Sequence, residues 1–131
     1  MKYIILIIIL LIIISLYFAF FWKKYKKLSP EKIKEFQKKL KIISSHISSK
    51  EKIIDSDKLY HKILLEAWYV WDFWSILKQK PLVIDDLNKI WELHKIRNKL
   101  VHDFDNHAEN LLKEKSKEFA KEIEKLLKKL Q

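Results

Sequence analysis

Apolar and polar positions divide the chain into a continuous apolar run near the N-terminus and a longer part with helical periodicity. The run covers residues 3–22 and is interrupted only by Ser15. A helix of that length extends for about 30 Å, the thickness of the hydrocarbon core of a bilayer. Aromatic residues crowd its C-terminal end, where an interfacial belt belongs. The pattern predicts an N-terminal transmembrane helix with the lipid bilayer as its partner.

Lysines on the two sides of this run predict its orientation. Only Lys2 precedes the run, whereas Lys23, Lys24, Lys26 and Lys27 follow it. The positive-inside rule then places the C-terminal domain in the cytoplasm. A cleaved signal peptide is disfavoured because Ala19 lies between two phenylalanines. We expect a single-pass protein of the cell membrane, with residues 1–28 as anchor and basic juxtamembrane segment.

Residues 29–54 predict one amphipathic helix and a polar connection. Ser29 is a favourable N-cap, and Pro30 suits the first turn of a helix. Apolar residues follow at spacings of three and four: Ile33, Phe36, Leu40, Ile43 and Ile47. The spacing predicts a helix of about 18 residues.

The remaining segment, 55–131, predicts three further helices. The first starts near Asp55 or Asp57, continues to about Lys78, and is apolar on nearly every side, as expected for a central helix whose aromatic residues form core. Pro81 ends it, and Asp85 or Asp86 can cap a helix over 87–102. The last helix covers roughly 106–130, and its apolar seam comprises Leu112, Phe119, Ile123, Leu126 and Leu130. The fold class is therefore all-α, with an antiparallel bundle of about four helices behind the transmembrane helix.

The amino-acid composition excludes several kinds of functional site. The chain has no Gly and no Cys, which excludes glycine phosphate loops, disulfides, thiolate metal sites and a Cys nucleophile. The net charge is +10, but without the five lysines that flank the apolar run 22 basic residues face 17 acidic ones. Such a mild excess favours solvated helix faces over a nucleic-acid surface and gives no indication of DNA.

Polar residues inside the apolar arc of the 87–102 helix are the most informative feature of the pattern. On a helical wheel His94, Arg97 and Asn98 project into that arc, and His102 lies at its edge. Arg97 is the only arginine of the chain, and a guanidinium turned inward needs an anion or several acceptors. We expect these side chains to bind one another, to bind Glu66 or Asp72 on the preceding helix, or to line a cleft.

A metal site is disfavoured at the same place. His94, His102, Asp103 and His107 are the candidate ligands, but His102 and His107 lack the i, i+4 spacing of helical zinc motifs. We therefore expect neither a metal nor a cofactor.

Residues 97–102, with the sequence RNKLVH, resemble the R-N-x3-H motif of the HEPN superfamily. Trp91 and His94 extend the likeness to the W-x-x-H-x-x-R-N-x-x-x-H pattern of short bacterial HEPN-like proteins. The resemblance covers about residues 55–130 and implies a four-helix domain. It also implies a homodimer in which the motifs of the two subunits meet in a cleft. Active members of the superfamily are metal-independent endoribonucleases.

The resemblance implies a role for each motif residue. His102 would be the general acid or base, Arg97 would stabilise the developing phosphorane charge, and Asn98 would orient His102. On an ideal helix Arg97 and His102 diverge by about 140°, so a dimer or a bend would have to bring them together. The sequence thus leaves two functions: an interaction or regulatory module with a protein partner, or an endoribonuclease that acts on RNA.

Overall fold

The computed structural model describes residues 2–21, 25–102 and 108–131. Within these ranges the chain forms six α-helices and no strand, which confirms the all-α prediction. The elements are α1 (Lys2–Phe21), α2 (Pro30–Ser44), α3 (Ser49–Glu66), α4 (Phe73–Lys78), α5 (Leu87–His102) and α6 (Glu109–Lys129).

Helix α1 contains most of the apolar run, and its side chains are exposed from residue 3 to residue 18. Among the described residues, no helix combines the length and the apolar character that a membrane crossing requires. The predictions of an N-terminal transmembrane helix and of a single-pass protein in the cell membrane are therefore wrong.

Helix α2 begins as its sequence predicts and ends earlier. The Ser29 hydroxyl accepts a hydrogen bond from the Lys32 amide, and Pro30 occupies the first turn. Ile33, Phe36 and Leu40 are buried along one face. The helix stops at Ser44, where the Ser45 hydroxyl donates to the Ile42 carbonyl. Ile47 was expected on the buried face, but it lies beyond the helix end and is 100% exposed.

The predicted central helix is two helices. α3 starts at Ser49, with Ser48 as N-cap, and ends at Glu66. Trp68 and Trp71 then adopt φ values of 75° and 116°, which no α-helix accommodates. The Asp72 carboxylate accepts from the Ser75 amide and hydroxyl and starts the short helix α4. A helix continuous from residue 55 or 57 to residue 78 was therefore the wrong prediction.

Helices α5 and α6 follow the predicted pattern closely. α5 covers residues 87–102, and the Asp86 carboxylate accepts from the Lys89 amide at its N-terminus. The predicted seam of the last helix is buried. The candidate metal ligands Asp103 and His107, and the predicted start of the last helix at residue 106, lie outside the described residues.

The core lies between α3 and the helices around it. α3 packs most extensively against α6 and also contacts α2 and α5. The Tyr60 ring lies 5.8 Å from that of Phe73 and 6.2 Å from that of Phe119, measured between centroids. The segment 25–28 is tied to this core because the Lys26 amide donates to the Ala67 carbonyl and the Leu28 amide to the Leu130 carbonyl. Leu28 itself is buried.

Candidate functional site

Helix α5 brings the motif residues against the interior face of α3. One side of α5 is buried through Ile90, Leu93 and Leu100, and the side chain of His94 is buried with them. A buried imidazole loses its contacts with water, so it needs partners for its two ring nitrogens. The packing of α5 on α3 supplies the first of these partners.

Asp57 on α3 is the acid that faces the motif. Its Oδ1 lies 2.8 Å from His94 Nδ1, and both side chains are more than nine-tenths buried. Since the carboxylate can only accept, His94 Nδ1 carries the proton of this hydrogen bond. The buried carboxylate of Asp57 and the buried imidazole of His94 thus satisfy each other's hydrogen-bonding groups, and the bond joins α3 to α5.

Arg97 approaches the second oxygen of the same carboxylate. Its Nε lies 3.4 Å from Asp57 Oδ2, and its Nη1 donates to Asn98 Oδ1 at 2.8 Å. The side chain is 26% exposed, while Nε is buried and forms no hydrogen bond. The contact with Asp57 is therefore an ion pair without a hydrogen bond, in which the carboxylate compensates the guanidinium charge.

Asn98 closes the arrangement. Its Nδ2 lies 3.2 Å from His94 Nε2, while its Oδ1 accepts from Arg97. The amide nitrogen is a donor, so Nε2 accepts and His94 is the neutral tautomer protonated on Nδ1. We call Asp57, His94, Arg97 and Asn98 the polar network. Its four side chains form a ring of contacts in which each side chain meets two others.

Aromatic rings enclose the imidazole. The Phe73 ring meets His94 edge-on at 4.8 Å between centroids, and the Trp91 ring lies 6.5 Å away. Trp91 in turn makes an edge-to-face contact with Trp74 at 4.6 Å. The supporting residues expected from the sequence, Trp91 and His94, therefore lie together, with α4 contributing the other two rings.

His102 stands apart from the polar network. It is the last residue of α5 and is exposed. Over the described ranges, no hydrogen bond joins it to Arg97 or Asn98. Asn98 contacts His94, whereas the expected role was to orient His102. The structure thus brings Arg97, Asn98 and His94 together and leaves His102 outside.

The acids expected to bind Arg97 are engaged elsewhere. Glu66 pairs with Lys32 at 3.4 Å, and Asp72 caps α4. Asp57 was interpreted as a helix start and was missed as a site residue. One signal could have identified it: Ile53, Asp57, Tyr60 and Leu64 recur at helical spacing, which puts Asp57 within the buried stripe.

Ion pairs hold the outer side of α5 to α6. Glu92 accepts from Lys115 at 2.7 Å, and Lys89 bridges Glu92 and Glu118. The hydrogen bond from Lys115 lowers the pKa of Glu92 from its ordinary value, and the same bond raises the pKa of Lys115. The Glu92 side chain is 46% exposed, and ion pairs with such exposed partners usually contribute little to stability.

Among the described residues no group of three or more acidic or histidine side chains is arranged to hold a metal ion. Comparison with protein-family models, with curated proteins and with solved structures finds no match to this chain. The resemblance of residues 91–102 to HEPN proteins therefore stays a prediction from the motif.

Proposed function

We propose that the helical domain is a HEPN-like interaction module in which the R-N-x3-H segment has a structural role. One observation carries this proposal: the guanidinium of Arg97 faces the buried carboxylate of Asp57, while the Asn98 amide is used by His94 and Arg97. Arg97 and Asn98 thus use their polar groups in contacts inside the domain. The exposed end of α5, with Val101 and His102, is left to meet a protein partner.

The electrostatics of the polar network support this assignment. An arginine that stabilises a transition state must direct its charge to the reacting group. The charge of Arg97 is compensated by Asp57, and His94 has both ring nitrogens occupied. Within one subunit, His94 is not available to a phosphate without breaking the network, and the charge of Arg97 already faces an anion.

A metal-independent endoribonuclease is the second candidate, and one observation favours it. His102 is exposed at the end of α5, and about a quarter of the Arg97 side chain reaches solvent. A homodimer could therefore place the His102 of one subunit beside the Arg97 of the other. This arrangement requires the two subunits to meet at the end of α5.

The deciding experiment uses the full-length chain in mild detergent, because α1 exposes apolar side chains. Wild type, Arg97→Ala, His102→Ala and Lys99→Ala are incubated with mixed RNA under chelator while light scattering follows the mass. Lys99→Ala is the matched control, since Lys99 is an exposed cation between the two motif residues. If the domain is an interaction module, we expect the wild type to cleave RNA no more than the variants do. Only Arg97→Ala should lose stability.

The endoribonuclease alternative predicts a different outcome of the same experiment. Cleavage by a dimer that Arg97→Ala and His102→Ala both abolish, with Lys99→Ala active and all helices intact by circular dichroism, would establish the nuclease. The structural role of the motif would then be secondary. A cleavage activity that survives both substitutions would come from a contaminant and would leave the interaction module in place.

A further inference from the structure

The loop between α3 and α4 carries an apolar patch on the surface. We call residues 67–72 the aromatic loop. Trp68, Val70 and Trp71 are 68%, 66% and 67% exposed, although large apolar side chains usually avoid water. Three such residues within four positions form a contiguous patch, and patches of this kind mark interaction sites.

The backbone of the loop holds these side chains outward. Trp68 and Trp71 have positive φ values, a conformation that favours Gly and is unfavourable for bulky residues. Hydrogen bonds fix it: the Trp68 amide donates to the Leu65 carbonyl, and His61 Nε2 donates to the Trp71 carbonyl. Backbone strain that the surrounding structure maintains is concentrated at functional sites.

The inner side of the loop is anchored in the bundle. Ala67 is fully buried, and its carbonyl accepts from the Lys26 amide. Tyr69 packs partly against the core. The loop is thus anchored on its inner side, while two indole rings and one valine are exposed on its outer side.

Positive charge lies beside the tip. Lys26 is exposed, and its Nζ lies 5.7 Å from the centroid of the Trp68 ring. Asp72, at the end of the loop, is also exposed, and its carboxylate accepts hydrogen bonds from the Ser75 amide and hydroxyl. An apolar aromatic tip with a cationic flank matches a lipid–water interface, where indoles lie at the headgroup level and lysines meet anionic headgroups. A lipid surface adapts to exposed side chains of this kind, whereas a protein partner would need a pocket shaped for them.

We propose that the aromatic loop docks peripherally on a lipid surface that contains anionic headgroups. Trp68, Val70 and Trp71 enter the headgroup region, and Lys26 remains at its polar edge. This inference is independent of the function proposed for the polar network, because it uses none of the network residues.

The absence of cysteine permits a position-specific test. A single cysteine is introduced as Val70→Cys or, in the control, as Ile47→Cys, and each is labelled with a polarity-sensitive fluorophore. Ile47 is an equally apolar, exposed residue just before α3, and the 18 residues of that helix separate it from the loop by about 27 Å. The full-length chain is mixed with vesicles of phosphatidylcholine and phosphatidylglycerol in equal parts. We expect a blue shift and several-fold brightening at position 70 and little change at position 47.

Two further variants of the Val70→Cys chain sharpen the test. Trp68→Ser with Trp71→Ser should abolish the response, whereas Trp74→Ser, an exposed tryptophan on α4, should preserve it. Lys26→Glu should weaken the response on anionic vesicles only. Because α1 also exposes apolar side chains, sedimentation of the whole chain with vesicles is not the readout. No response at position 70, equal responses at positions 47 and 70, or a response indifferent to loss of Trp68 and Trp71 would overturn the proposal.

Discussion

In the polar network, four polar side chains lie in or near the interior, and in the aromatic loop three large apolar side chains lie at the surface. In the first arrangement each side chain contacts two others of the same set, although Arg97 Nε itself forms no hydrogen bond. The second is incomplete, because no described part of the chain covers Trp68, Val70 or Trp71. The difference separates a structural element from a surface that needs a partner.

Removal of the central acid should have the largest effect. Asp57→Ala leaves the buried imidazole of His94 without its acceptor and the partly buried guanidinium of Arg97 without its anion, and we expect it to lower the free energy of unfolding by about 3–5 kcal/mol. Urea denaturation followed by circular dichroism measures this loss. Asp55→Ala is the matched control: Asp55 lies on the same helix in exposed ion pairs, and its loss should cost less than about 1 kcal/mol. Equal losses in the two variants would show that the network does not stabilise the fold.

The amide that closes the network should contribute less. Asn98→Ala leaves His94 Nε2 and Arg97 Nη1 without their hydrogen bonds, and we expect a loss of about 1–2 kcal/mol in the same measurement. Asn88→Ala, on the exposed face of the same helix, should be nearly neutral. If Asn98→Ala is as stable as Asn88→Ala, the network does not include Asn98 in solution.

The surface ion pairs between α5 and α6 should contribute less still. The hydrogen bond from Lys115 lowers the pKa of Glu92, so the contribution of this carboxylate is present above its ordinary pKa of about 4.5. It is lost as the pH falls through the lowered pKa. We expect Glu92→Gln to cost below about 1 kcal/mol at neutral pH and progressively less as the pH falls below about 4.5. Melting temperatures of both proteins across this range test the expectation, with Glu114→Gln as an exposed control. A difference that persists at low pH would contradict it.

Substitution of the loop tryptophans should have the smallest effect on stability. Trp68→Ser with Trp71→Ser removes two exposed indoles, and we expect a change within about 0.5 kcal/mol in urea denaturation. Phe73→Ala, at the buried start of α4, serves as a positive control and should lose about 3–5 kcal/mol. A loss above about 1 kcal/mol in the double variant would mean that the indoles stabilise the fold, and the contrast with the polar network would disappear.

Local signals in the sequence predict most of the bundle. Ser29 and Pro30 locate the start of α2, Asp86 caps α5, and the spacing of Phe119 and Ile123 identifies the buried face of α6. These features depend on neighbours within one or two turns. They can therefore be predicted before any tertiary contact is known.

The break between α3 and α4 could not be predicted in this way. Residues 67–72 contain neither Gly nor Pro, and their apolar residues continue the pattern of a buried helix. α3 ends in local capping bonds, from the Trp68 amide to the Leu65 carbonyl and from the Tyr69 amide to the Leu64 carbonyl, with Trp68 at the positive φ that Gly usually supplies. Periodicity reports where apolar residues recur, but it does not report whether anything covers them.

The sequence predicted only part of the candidate site, because one of its residues is distant along the chain from the others. The helical wheel of α5 identifies His94, Arg97 and Asn98 as polar groups turned inward, and the structure places them together. Their common partner, Asp57, lies 37 residues before His94, and an aspartate among the first residues of a helix resembles a cap. Its role follows only from the packing of α3 on α5.

The segment 25–28 gives the bundle a mechanical property. This short segment leads into the bundle from the direction of α1, and its backbone is bonded to Ala67 at one point and to Leu130 at another. Lys27 adds a side-chain bond to the Lys129 carbonyl. A force applied at α1 would therefore load the start of the aromatic loop and the C-terminal end of α6 before it reached α2.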